Sequence, residues 1–362
     1  MRREGEEKNA HAMTKMIQGV WKLGGTLSLA LVGGACLLGN FGNTAFSGPN
    51  DAGKNPQKAL TITAQYNIPI AELSGLAIVQ ASAQKKGGIR LYVIGDATFR
   101  IANLPVNAAP NDAIDPAQDV AHVIGRNDAD PSQWEAIAAD GKDTVCMLSE
   151  TYGEISCLDQ DLRQYRGSFN LDISTIAPFD SAWKAHSNSR GEGMILMKRG
   201  HVLVLKEKQP SMLVEFGPAG DAPAGYGPDG FLQKGEAFIQ PPSIPGRMGS
   251  LVALKAWAFS ERLQELAKDA SEITVGPDGR VYLLSQESST LIRLEKSLRP
   301  DEDRVGVGHK SEGSHGEYWL LPKGLEKAEG LVIDDEMRPW IGIDIKEMSK
   351  PNLFRLSPIN AN

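Results

Sequence analysis

Four glutamates, Glu135, Glu192, Glu272 and Glu329, each open a segment of similar pattern, and an acid stands fifteen residues after each of them: Glu150, Glu207, Glu287 and Asp344. A looser fifth segment has Ser74 at the first position, and Asp96 at the second, displaced by a longer turn at 83–88. Carboxylates gathered at one place away from water cannot all stay ionised. They pair with cations, bind a metal or take up protons. A hard cation that takes six to eight oxygens is the natural partner, which favours Ca2+ over magnesium. The competing reading is that each first acid caps backbone N–H groups or meets a base such as Arg190, Lys198 or Lys206. For the second acids it is a solvated carboxylate at a loop end.

The elements that must position these acids are legible as repeats. The segments begin near Leu73, Trp134, Gly191, Ser271 and Ala328, at intervals of 61, 57, 80 and 57 residues. Each has a short apolar run, a turn rich in Gly, Asp or Lys, and a β-branched or aromatic run (LYVI, TVCML, HVLVL, VYLL, PWIGI). A second turn and an alternating run follow (TFRI, EISCL, SMLVEF, STLIRL, NLFRL). Short apolar runs between tight turns are strands of an antiparallel meander. One meander cannot bury both faces, so neighbours must stack. The expected fold is an all-β, five-bladed β-propeller. The first acid starts an inner strand and the second ends the next, antiparallel strand, so both fall on one face of the disc.

The long interval, 217–270, holds the strand-like LVALKAWAF and a short helix, ERLQELA, and leaves six blades as the alternative. The last segment ends without a fourth strand, whereas ALTITAQYNI (59–68) is an alternating strand with no blade of its own. The expectation is that Thr61–Tyr66 closes the ring against Asn352–Leu356, because an unpaired edge invites aggregation.

Other chemistry is sparse. His186 precedes the third segment, and His309 and His315 lie in a polar loop. Each reads first as a solvated histidine. No phosphate-binding glycine loop and no Gly-x-Ser-x-Gly elbow occurs. A net charge of −7 argues against binding nucleic acid by phosphate neutralisation. Of three cysteines, Cys36 belongs to the N-terminal apolar stretch. Counting outward from the ETYG turn sets Cys146 opposite Cys157. That makes either two small hydrophobes or a disulfide with Cα atoms ~4.4–6.8 Å apart.

The N-terminus differs from the rest. Arg2, Arg3, Lys8, Lys15 and Lys22 lead into an uncharged stretch from Leu23 to Asn50. A membrane anchor of ~20 residues, a cleaved signal peptide and a lipoprotein site at Cys36 all remain open. The basic flank keeps its side in the cytoplasm and sends the body outward. The expected organisation is 1–46, a basic stub with anchor or signal segment; 47–58, a linker; and 59–362, the propeller.

The order LSGLA, EAIAAD with LSE, GEGMILM with LKEKQPSML, LLSQESSTLIRLE and AEGLVIDDEM resembles the SdiA-regulated propeller family over residues ~60–357. It is similar, more distantly, to esterase-like phytase and NHL-repeat propellers. The resemblance implies an N-terminal membrane anchor, five blades and a calcium site. Ile273, where the repeat prefers Gly or Ala, and the 80-residue interval depart from it. The functional expectation is a membrane-tethered, extracytoplasmic, calcium-binding propeller. It would hold an unknown small ligand or protein partner on its acidic face. The alternative location is secreted or periplasmic after signal cleavage, and the alternative activity is a calcium-dependent hydrolase of phosphoesters, esters or lactones.

Overall fold

The computed structural model describes residues 59–80, 88–176, 181, 183, 190–208, 210–242, 248–308 and 317–359. The expected stub, anchor and linker (1–58), together with His186, His309 and His315, lie outside the described residues. Among the described residues no helix is long and apolar enough to cross a membrane.

The first strand, β1 (Ile62–Tyr66), stands apart from the meander that follows it. That meander contains β2 (Leu73–Gln80), β3 (Ile89–Gly95), β4 (Arg100–Pro105) and the two-residue β5 (Gln118–Asp119). The second contains β6 (Trp134–Ala139), β7 (Thr144–Ser149), β8 (Glu154–Asp159) and β9 (Tyr165–Asp172). The third contains β10 (Gly193–Leu196), β11 (Val202–Lys206), β12 (Met212–Gly217) and β13 (Gly249–Phe259). Helix α1 (Glu261–Leu266) follows, capped by the Ser260 side chain, which accepts from the Leu263 N–H. The fourth meander contains β14 (Ala270–Val275), β15 (Val281–Ser285), β16 (Thr290–Arg293) and, after the short β17 (Arg304–Val305), β18 (Glu317–Leu320). The last contains β19 (Ala328–Ile333), β20 (Pro339–Ile343) and β21 (Leu353–Leu356).

Its fourth strand is β1, which pairs antiparallel with β21 from Ile62↔Leu356 to Tyr66↔Leu353. The ends of the described chain therefore clasp each other, as the unpaired run at 59–68 predicts. Asn352 locks the joint. Its amide oxygen accepts from the Ile68 N–H at 2.8 Å, and its amide nitrogen donates to the carbonyls of Ile68 (3.0 Å) and Ile70 (2.8 Å).

The long 217–270 interval holds no additional meander among the described residues. Its strand β13 is instead the outer strand of the third sheet. β13 also runs parallel to β9 (Gly249↔Phe169 to Val252↔Asp172) and to β17 (Ala258↔Arg304, Phe259↔Val305).

The inner strands touch in cyclic order: β2 with β6, β6 with β10, β10 with β14, β14 with β19, and β19 with β2. This is an all-β fold of the propeller type. Between each successive pair of sheets lies one apolar core. Alternate residues of a strand serve different cores, since side chains point to opposite faces with period two. Val145 and Met147 of β7 pack toward the first sheet, and Cys146 and Leu148 toward the third. Trp340 of β20 packs toward the first sheet, and Ile341 and Ile343 toward the fourth. Burial on both faces explains why these strands read as nearly continuous apolar runs.

Cys146 and Cys157 are direct cross-strand partners and form a buried disulfide, with Cα atoms 4.1 Å apart. That is slightly closer than the expected range and suits the narrower kind of antiparallel pair, at about 4.5 Å.

Candidate functional site

One backbone irregularity builds the site. In four inner strands the ladder skips a residue near its start, between Leu73 and Gly75, Trp134 and Ala136, Ala270 and Glu272, and Ala328 and Gly330. The skipped residues are Ser74, Glu135, Ser271 and Glu329. A bulge of this kind frees one residue from pairing and re-aims its side chain. In the third sheet Glu192 stands just before β10, its N–H donating to the Leu205 carbonyl at 3.1 Å. The inner positions are therefore Ser74, Glu135, Glu192, Ser271 and Glu329.

The outer positions follow the second strand of each sheet: Asp96, Glu150, Glu207, Gln286 and Asp344. Four of them make the same bond. The N–H of Asp96 donates to the carbonyl of Glu72 (3.1 Å), Glu150 to Gln133 (3.0 Å), Gln286 to Asp269 (3.0 Å) and Asp344 to Lys327 (2.9 Å).

This register corrects the fourth repeat by one residue. Ser271 and Gln286 are also fifteen apart, so acid spacing alone could not separate them from Glu272 and Glu287. A one-residue slip in a strand sends a side chain to the other face. Glu272 accordingly lies buried against the third sheet. Its Oε1 accepts from the N–H of Ile273 at 2.9 Å, and the Met194 backbone also bonds to it. Its Oε2 is buried without a partner among the described residues. A Cβ on Gly193 would come within 2.6 Å of Glu272 Oε1 and 2.5 Å of the Ile273 nitrogen, so only glycine fits there. Glu287 is exposed on the β15–β16 turn. Gln286, which sequence reasoning passed over, donates to Glu329 Oε1 at 3.3 Å.

The two inner serines latch adjacent sheets. Ser74 donates to the Trp134 carbonyl at 2.5 Å and Ser271 to the Ala328 carbonyl at 2.8 Å. Each acceptor immediately precedes an inner glutamate, Glu135 or Glu329.

The remaining carboxylates act on one another. Burial first, and then Asp96, Glu150, Glu329 and Asp344, push the Glu135 carboxyl up to about 9. Burial, Asp344 and Asp96 push Glu329 up to about 8. Burial drives Glu192 well above the usual range, helped by Glu135, Glu150, Glu207 and Glu329. Burial together with Asp269 takes Glu207 to about 8, and burial together with Glu72 and Asp344 takes Asp96 to about 6. Burial raises Glu150, although the Arg190 N–H, 3.0 Å from its Oε1, opposes this. Seven carboxylates of the two rings thus lie at one end of the ring, and several of them raise one another's pKa.

Cations sit at the rim. Lys208 Nζ lies 2.6 Å from Glu207 and 3.4 Å from Asp269, Lys327 lies 2.7 Å from Asp344, and Lys346 lies 2.9 Å from Glu72. Lys198 is engaged elsewhere, with Glu236 at 3.5 Å. Among the described residues no base lies within ion-pair distance of Glu135, Glu192 or Glu329. These three are only half-buried and reachable from solvent. The donor set, acidic oxygens with an excess of negative charge, suits a hard cation. One further oxygen, Asp96 Oδ1, is buried without a partner among the described residues. Among the described residues no three ligating side chains already converge on a single point.

Sequence reasoning also missed His201. It lies at the opposite end of the third sheet, fully buried, with Nδ1 2.5 Å from Glu215 Oε1 and Nε2 3.1 Å from Asp221 Oδ2. Burial opposes its charge, but the bonds to Glu215 and Asp221 outweigh that and raise its pKa. No motif in the sequence marks this trio.

No family model and no curated protein matches the chain. Among solved structures it is similar to glutaminyl cyclase from Myxococcus xanthus, at 13% identity and a TM-score of 0.45, over 84% of this chain and 98% of that one. It is also similar to a calcium-binding protein, regucalcin, from Agrobacterium tumefaciens, at 9% identity and a TM-score of 0.45, over 83% and 95%. A streptogramin B lyase follows at 8% identity and a TM-score of 0.41, over 82% and 97%. Likenesses this remote say nothing of the chemistry at the carboxylate cluster.

Proposed function

We propose that this chain is a five-bladed propeller that binds calcium through Glu135, Glu192 and Glu329 and presents the loaded face to a ligand or partner. The supporting observation is the set of three inner glutamates, half-buried, without basic partners among the described residues, and each raised first by burial and then by its neighbours' charge. Asp96, Glu150, Glu207 and Asp344 would complete the oxygen shell. A bound Ca2+ would supply the positive charge that lets these carboxylates ionise together. The protein's own part is to hold the glutamates through the bulges and the two serine latches. The order of repeats and the resemblance to the SdiA-regulated family support the same reading.

The Cys146–Cys157 disulfide supports an oxidising compartment, and the basic, then apolar, N-terminal stretch supports a membrane tether with the propeller outside the cytoplasm. The test is elemental analysis of purified full-length protein together with thermal melts with and without chelator. Bound calcium and a melting temperature that falls on chelation are expected, because a ligand that binds only the folded state stabilises it. A metal-free preparation whose melt ignores added calcium would remove the reading.

A further inference from the structure

A cleft lies away from the carboxylates. It has a volume of about 260 Å3 and sits between the first and second sheets, lined by residues that include Arg90, Tyr92, Asn103, Asp115, Gln118 and Arg163. Arg90 lies near the start of β3 and Asp96 just past its end, so roughly 20 Å of strand separates cleft from cluster. The volume lies just below the ~300–1,000 Å3 range of drug-sized sites, so any occupant is small.

Its walls are held across the sheet boundary. The Tyr92 hydroxyl donates to the Gln160 carbonyl at 2.6 Å, and the Gln118 amide donates to the Leu162 carbonyl at 2.8 Å. The turn carrying Leu162 has positive φ there (58°) with the Leu162 side chain buried, and Asp159 Oδ1 accepts from the N–H groups of Arg163 and Gln164. The turn is thus fixed before any ligand arrives.

The lining decides the class of ligand. Only Val79 and Leu162 are aliphatic. Two guanidiniums, Arg90 and Arg163, share the lining with two carboxylates, Asp115 and Asp161, the second of which is already engaged by a partner of its own. Arg90 is already bonded to Asn103 Oδ1 at 2.6 Å, with Asp115 at 3.6 Å. The carboxylates oppose an anion and the guanidiniums oppose a cation. The Arg163 guanidinium, the Asn103 amide N–H groups and the Gln118 amide oxygen make no bond within the described residues. They offer donors and acceptors side by side, the arrangement that vicinal hydroxyls satisfy in both roles. We propose that this cleft is a second, metal-independent binding site for a neutral polyhydroxylated molecule of monosaccharide size.

The test is saturation-transfer NMR on the full-length protein with glucose, N-acetylglucosamine and inorganic phosphate as probes. Transfer to a sugar is expected at millimolar concentration and should persist in chelator, so its fate is separate from that of the calcium reading. Arg163→Ala and Asp115→Ala, both at exposed side chains, should each weaken sugar binding about tenfold or more while leaving the melting temperature unchanged. No transfer to either sugar, or transfer in both variants equal to that of the parent protein, overturns the proposal. So does binding of phosphate in preference to the sugars.

Discussion

The Ser271 hydroxyl donates to the Ala328 carbonyl at 2.8 Å, one residue before Glu329, just as Ser74 donates to Trp134 one residue before Glu135. This relationship makes the register testable. Glu272→Gln should leave calcium stoichiometry intact, because Glu272 faces the third sheet. Glu192→Gln should weaken calcium binding by tenfold or more in a titration. If Glu272→Gln abolishes binding while Glu192→Gln does not, the inner positions are misassigned.

Proton linkage should be large and of defined sign. Without metal, Glu135 (about 9) and Glu329 (about 8) have folded values raised above their unfolded ones. Their contribution to stability is full below the unfolded value, ~4.3, and is lost as pH rises through 8–9. The metal-free melting temperature should therefore fall between pH 5 and pH 9. Calcium should reverse that slope and release protons at neutral pH, which calorimetry in buffers of different ionisation enthalpy measures.

His201 faces two acceptors, so both ring nitrogens carry protons. Its raised value places the stabilising contribution below the unfolded ~6.5, with loss as pH rises through the higher folded value. The imidazole NMR shifts should show a ring that stays cationic to higher pH than an unperturbed histidine. On deprotonation, hydrogen exchange should rise at Ala224 and Gly225, whose N–H groups donate to Glu215. A neutral ring at pH 6 contradicts this.

Asn352→Ala should cost about 3 kcal/mol or more in urea unfolding, since it strands three backbone groups at the buried clasp. A loss under about 1 kcal/mol would mean that β1 contributes little to closure.

Cys146→Ser with Cys157→Ser should lower stability by roughly 2–4 kcal/mol, with the fold retained. Reductant should have the same effect on the parent chain and none on the variant.

The strand pattern was readable because burial on both faces demands apolar runs, and turn chemistry separates them. The Cys146–Cys157 pairing followed from counting across a tight turn, and the closing strand from an edge left without a partner. The fourth inner position was not readable. Ser271/Gln286 and Glu272/Glu287 have equal spacing, and only the backbone bulge distinguishes them. His201, Glu215 and Asp221 meet through a strand pair and a loop, and the three bonds of Asn352 depend on ring closure. None of these contacts leaves a local pattern.

The clasp between β1 and β21 also sets how the molecule carries a load. Whatever precedes residue 59 joins the ring through β1, the outermost strand of the last sheet. A load directed along the β1 axis would shear its bonds to β21 together, rather than unzip them one at a time. The first contacts in its path are the Leu60 N–H to the Leu320 carbonyl at 3.1 Å and the bonds between Thr61 and Ser357, and the three bonds of Asn352 stand behind them at the far end of β1.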